Sequence, residues 1–199
     1  MDVIQKYFCN LTKEKFNKYE RLRELHIGLN ESINLVSRKT IDHVYIHHIL
    51  HSLSIAKFFR FSVCDAVIDV GSGGGFPGIP LAIFFPDTNF VLVDSIEKKV
   101  KAMRYLCESL ELDNVVVKCC RVETVADKYD FVLGRAVTNV NDFMNITKHL
   151  VSDRNFYNGV IYLNGCVDIP TYKSVSYKIE SVFDDEYFHG KQLLYSRFF

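Results

Sequence analysis

The chain has no excess of charge of either sign. Its 199 residues carry 24 Lys plus Arg against 24 Asp plus Glu, a formal net charge of zero. A nucleic-acid partner would therefore depend on a local basic patch and not on a global field. No apolar run reaches the roughly 18 residues of a membrane span, so no membrane partner is expected. The opening MDVIQKYFCNLTKEK has neither the apolar core nor the small-residue cleavage site of a secretion signal. A soluble, cytoplasmic, monomeric protein is the expectation. Six cysteines (9, 64, 107, 119, 120, 166) include no C-x-x-C and no zinc-like pairing with histidine, so no metal centre is expected. They read as free, buried thiols of a reducing compartment.

Proline and glycine are scarce too, with four and ten in all, and up to about residue 60 there is no proline and only Gly28. What fills that part is helical patterning. Phe16, Tyr19, Leu22, Leu25, Leu29 and Ile33 recur every three or four residues, a single apolar stripe. Thr40 is placed to cap a second helix from Ile41 to about Phe59. The chain is thus expected to open with a helical subdomain over 1–60, packed on a second unit over 61–199.

The second unit has a different texture. AVIDV (66–70), NFVLVD (89–94), NVVVK (114–118), YDFVLG (129–134) and GVIYLN (159–164) are short, nearly continuous apolar runs, as expected of strands buried on both faces. Between the second and third, Val100, Met103, Leu106 and Leu110 have helical spacing over Glu97–Leu110. Strands alternating with helices imply an α/β fold with a mostly parallel sheet and right-handed crossovers. SYKIESVF and GKQLLYSRF alternate like an antiparallel pair at the sheet edge. Sixteen Phe and eleven Tyr supply a sizeable core and argue against disorder.

The scarce residues are spent together. From Gly73 to Pro80 the sequence GGGFPGIP holds four glycines and two prolines, straight after the first apolar run. Glycine lets the backbone turn sharply and approach a ligand, and amide N–H groups at a helix start face it. Pro77 or Pro80 would fix φ in the first turn of the helix that starts near Gly78. Gly71, Gly73 and Gly75 read G-x-G-x-G, whereas the dinucleotide fingerprint G-x-G-x-x-G would need glycine where Phe76 stands. The G-K-[ST] of a P-loop is absent. The loop, with Ser72 inside it and an acid, Asp69, in the preceding strand, is similar to the S-adenosylmethionine loop of class I methyltransferases. Asp94 ends the second strand, where a carboxylate accepts hydrogen bonds from ribose hydroxyls. A plain turn and a nicotinamide site are the alternatives.

Several segments together carry a more specific resemblance: NESINLVSR (30–38), IHHILHSL (46–53), IDVGSGGGFPGIPLAI (68–83), LVDSIEKKVKAMRYL (92–106), CRVE (120–123), GRAV (134–137) and GKQLLYSRF (190–198). In this order they resemble the RsmG (GidB) family, bacterial methyltransferases acting on guanine N7 in 16S ribosomal RNA of the small subunit. The resemblance implies a Rossmann-like class I fold with a seven-stranded, mostly parallel sheet, helices on both faces and an N-terminal helical extension. It implies S-adenosyl-L-methionine as cofactor, with Gly71, Phe76, Val122, Glu123 and Arg135 as contacts. His48 aligns with a family histidine and joins Arg135 as a catalytic candidate. Arg38, Lys98 and Lys99 are the candidates for RNA contact, the lysines in a cluster with Lys101 and Arg104.

Three positions depart from the family pattern. His51 stands where H-I-L-D-S has an acid, Gly134 where serine precedes R-A, and Asn164 where L-K-G has lysine. These bear on the substrate side more than on cofactor binding. Guanine N7 has a free lone pair and no proton at neutral pH, so transfer by in-line displacement would rest on alignment and exclusion of water. Two alternatives stand beside it: a methyltransferase of another acceptor, small molecule or protein, and a non-catalytic RNA-binding or ribosome-assembly module. His47 and His51, four apart, lack a third metal ligand in the sequence.

Overall fold

A computed structural model describes residues 3–37, 40–63, 65–165 and 172–198. The five apolar runs form β1 (Ala66–Val70), β2 (Asn89–Asp94), β3 (Val115–Cys119), β4 (Phe131–Arg135) and β5 (Gly159–Asn164), all paired in parallel. The C-terminal segments add β6 (Ser174–Lys178) and β7 (Gln192–Ser196), antiparallel to each other, with β7 also antiparallel to β5. β6 ends earlier than the alternation suggests, because Ile179–Ser181 turns into a 3₁₀ segment that buries Ile179. The order is β3-β2-β1-β4-β5-β7-β6, so the chain reverses direction across the sheet between β1 and β4. In open α/β sheets that is where the ligand crevice lies.

Alternation along the strands divides the core. Val67, Phe131, Leu133, Ile161 and Leu163 face one cluster; Ile68, Val132, Val160 and Tyr162 face the other. The first face carries α1 (Val3–Tyr7), α2 (Lys13–Asn30), α3 (His51–Leu53), α4 (Ile55–Phe58), α5 (Gly78–Phe84) and α6 (Glu97–Ser109). The second carries α7 (Val140–Thr147), through Val140, Phe143 and Met144. α2 starts as the stripe predicts, with the Thr12 hydroxyl capping Lys15 N–H at 3.3 Å. It does not bury its stripe on a separate subdomain core. Tyr19 and Leu22, both fully buried, pack in the same cluster as Ile79 and Leu81 of α5, and the Tyr19 hydroxyl donates to Pro80 O at 2.9 Å.

The second predicted helix is a correction. Residues 41–58 are not one α-helix but a 3₁₀ turn (Ile41–His43), a π-helical stretch (Tyr45–Leu50), α3 and α4. Thr40 makes no side-chain cap to it; its hydroxyl donates to Ser37 O at 3.0 Å. The thiols correct another expectation: of the described cysteines only Cys107 is buried, Cys120 is half-buried, and Cys9 and Cys119 are exposed. Among the described residues no helix is long and apolar enough to cross a membrane.

Candidate active site

The glycine loop owes its path to backbone geometry no side chain tolerates well. Gly71, Gly73 and Gly75 have φ of 69°, 57° and 86°. A Cβ on Gly71 would come within 2.8 Å of Val137, and one on Gly75 within 2.3 Å of Ile79. The Gly71 and Ser72 amides both donate to Val93 O, at 2.8 and 3.1 Å, which ties the loop to the end of β2. The Ser72 hydroxyl donates to Asp69 O at 2.8 Å and is turned inward. Asp94 holds the loop from the other side. Its Oδ2 accepts from Gly73 N–H at 3.0 Å and its Oδ1 from Ile96 N–H at 2.9 Å. Each oxygen keeps a second lone pair for a hydroxyl donor.

Beside this loop lies a cleft of about 350 Å³, lined among others by Gly71, Asp94, Val122, Glu123 and Val137, at the carboxyl ends of β1 to β4. That is within the common size range of small-molecule sites. Val70, Val93, Ile96, Val137 and Ile146 give it an aliphatic part, beside two acids, Asp94 and Glu123, and two cations, Lys99 and Arg121. A nucleoside fits such a lining, its flat base against aliphatic side chains and its hydroxyls toward a carboxylate. Gly71, Asp94, Val122 and Glu123 are thus brought together as expected. Lys99, expected at an RNA surface, instead lines this cleft from α6, while Lys98 beside it is exposed. Arg38 lies outside the described residues. Val137, Ile146, Cys120 and Arg121 also line the cleft. Of these, the last two were legible from their place in CRVE, and Val137 from GRAV.

Phe76 and Arg135 sit behind the loop, not in the cleft lining. Strand parity sends Arg135 to the opposite face from Gly134, toward α2 and the π-helical stretch. Its guanidinium lies 5.1 Å from the Phe76 ring centre, and Phe76 is itself packed against His26 and His48 at 4.6 and 5.2 Å. Arg135 Nη1 donates to His47 O at 3.3 Å, and Nη2 to His48 Nδ1 at 2.9 Å. That bond leaves the proton of His48 on Nε2, which donates to the Thr40 hydroxyl at 3.0 Å. A directed chain therefore runs Arg135 to His48 to Thr40 to Ser37 O. Burial, then the Arg135 charge, pushes His48 down to about 2, so it stays neutral. Burial lowers Arg135 to about 10, which leaves it cationic at neutral pH. The two catalytic candidates thus meet, one as a fixed cation and the other as a neutral acceptor that aims it.

Two side chains without any motif complete the arrangement. His26 of α2 places Nε2 2.7 Å from Gly74 O, linking the first long helix to the loop. Tyr187 donates its hydroxyl to His47 O at 3.1 Å, so that this carbonyl serves two donors. The departures from the family pattern also find places. A Cβ on Gly134 would lie 2.2 Å from the Phe143 ring, so a serine would not fit here against α7 as it is packed. His51 is buried, its Nδ1 3.3 Å from the Tyr187 hydroxyl. Among the described residues no cluster of three or more His, Cys, Asp or Glu could hold a metal.

The model of the family described as rRNA small subunit methyltransferase G (GidB) matches residues 13–162. The chain belongs to that family. A ribosomal RNA small subunit methyltransferase G of Flavobacterium johnsoniae is 43% identical over 204 residues, covering 98% of this chain and 97% of the relative. One from Bacteroides thetaiotaomicron is 41% identical, covering 99% and 100%. Among solved structures, a mutant of MtNAS in complex with S-adenosylmethionine superposes with a TM-score of 0.59 at 15% identity, over 98% of this chain and 76% of that one. That last likeness establishes the class I fold.

Proposed function

We propose that the protein transfers the methyl group of S-adenosyl-L-methionine to N7 of a guanine in 16S rRNA, acting as a cytoplasmic monomer on the small ribosomal subunit. The observation that carries this is the coincidence, in one chain of the methyltransferase G family, of an acid-lined cleft beside the glycine loop with a fixed cation just behind that loop. Gly71, Asp94, Val122 and Glu123 would hold the nucleoside part of the cofactor. When bound, the cofactor supplies an electrophilic methyl on a sulfonium.

The residues around it have little proton chemistry to do. Guanine N7 presents a bare lone pair, so no base is required, and His48, held neutral, is not asked to be one. Arg135 offers bidentate donors to a carboxylate or phosphate, and the His47 carbonyl and His48 ring fix its direction. Lys98 is free to meet phosphate, while Lys99 belongs to the cofactor side. Alignment and exclusion of water then carry the rate.

The test is incorporation of labelled methyl into small-subunit particles from cells lacking the gene, with the product base identified. The wild-type protein is expected to form 7-methylguanosine in 16S rRNA. Arg135→Ala is expected to lose transfer by 100-fold or more, on the order of a misplaced reactant, with an unchanged circular-dichroism spectrum. Particles left unmodified by the wild-type protein would remove the proposal, and normal turnover of the variant would remove the role of Arg135.

A further inference from the structure

Next to Arg135, three aromatic rings and a cation are stacked in series. The His47 ring lies on Tyr187 with centres 3.9 Å apart and planes 15° from parallel. Lys191 Nζ lies 4.0 Å from the same Tyr187 ring centre. Two groups cannot share the same 4 Å above one ring face, so His47 and Lys191 occupy opposite faces. The His43 ring is the next contact of His47, at 5.0 Å and 31°. The order is Lys191, Tyr187, His47, His43, and only the last ring is exposed. Among the described residues no ring stacks on the outer side of His43.

This series is a poor device for holding the fold. His47 Nδ1 is buried with no hydrogen-bond partner among the described residues, so the ring is not there to satisfy its neighbours. Its burial, with His43 and Lys191 nearby, holds the imidazole below its ordinary value, which keeps the ring neutral at neutral pH. The series touches the candidate active site directly, because the backbone carbonyl of His47 is the acceptor of Arg135. Stacked aromatic rings backed by a cation are what proteins use to hold unpaired nucleobases without reading their sequence.

The geometry points to His43, His47, Tyr187 and Lys191 as a stacking platform for a base of single-stranded RNA, the base resting on the outer face of His43. This rests on the rRNA reading of the same site and adds a place where the substrate strand is gripped beside the reacting guanine. The platform asks for an aromatic ring at 43, not for a hydrogen-bonding group there.

Three variants separate these requirements: His43→Ala, His43→Phe and His43→Gln. His43→Ala is expected to raise KM for small-subunit particles on the order of 10-fold, the effect of losing one base stack, with cofactor Kd and Tm unmoved. His43→Phe is expected to restore KM, and His43→Gln is not. A single-stranded RNA oligonucleotide carrying 2-aminopurine serves as a probe independent of methyl transfer. Its fluorescence should be quenched by the wild-type protein and by His43→Phe, and not by the other two. Wild-type KM and quenching in His43→Ala, or rescue by Gln and not by Phe, would overturn the platform. Should the wild-type protein methylate no particle, the functional proposal fails, and the quenching series still decides the platform by itself.

Discussion

Burial holds the Asp69 carboxyl at about 7, far above an ordinary aspartate, although the Gly78 amide donating to Oδ2 at 2.8 Å opposes the shift. Its other oxygen has no hydrogen-bond partner among the described residues. The residue sits under the glycine loop, so its charge state is also a statement about stability. An acid with a raised folded-state value ionises more readily in the unfolded chain. Its contribution is therefore complete below about pH 4 and is lost as pH rises through about 7. Asp69→Asn retains an acceptor for Gly78 N–H but cannot ionise. Urea unfolding at a series of pH values should show the variant gaining on the wild-type protein between those limits, by up to about 1.4 kcal/mol per pH unit. A stability difference that does not change with pH would contradict this account. Sequence reading found Asp69 as the acid of the motif and missed its protonation, because that follows from how completely the neighbouring helix covers it.

The stretch from 41 to 58 shows where reading elements from periodicity stops. The apolar spacing there suits an α-helix, and nothing in HHILHS announces a π-helical turn. That turn depends on partners far along the chain, since His47 O accepts from Arg135, 88 residues on, and from Tyr187, 140 residues on. The parallel strands, by contrast, were legible to within a residue or two, because burial on both faces forces continuous apolar runs in the local sequence. The same division holds in the site. The glycine loop and Asp94 announce themselves by spacing and CRVE by its resemblance to the family, whereas His26 and Tyr187 act through single contacts that leave no pattern. Tyr187→Phe isolates one of these contacts, removing the hydroxyl and leaving the ring on His47. It is expected to lower kcat roughly 10-fold by loosening the support of Arg135. KM for the particle and cofactor Kd should stay at wild-type values. A change in Tm with kcat intact would make the hydroxyl a structural bond only.

On the scale of the molecule, the helical part visible in the composition packs into the same cluster as one face of the sheet. The reason is that α2 is short of partners of its own: its buried face meets α5 and α6. Leu22 and Tyr19 lie in one cluster with Ile79, Leu81, Phe90 and Met103, and His26 reaches Gly74 of the loop. A helix packed in this way cannot melt without exposing one face of the sheet, and it cannot shift without moving the loop that borders the cleft. Leu22→Ala, at a fully buried position, is expected to cost about 2–5 kcal/mol from lost transfer energy and the cavity left behind. Because the core is shared, the loss should appear as a shift of a single transition, coincident by far-ultraviolet circular dichroism and by tyrosine fluorescence. It should also weaken cofactor binding in proportion to the unfolded fraction and no further, since the variant touches no cleft residue. An early, separate helical transition in the variant would instead mean that the first 60 residues form a unit of their own.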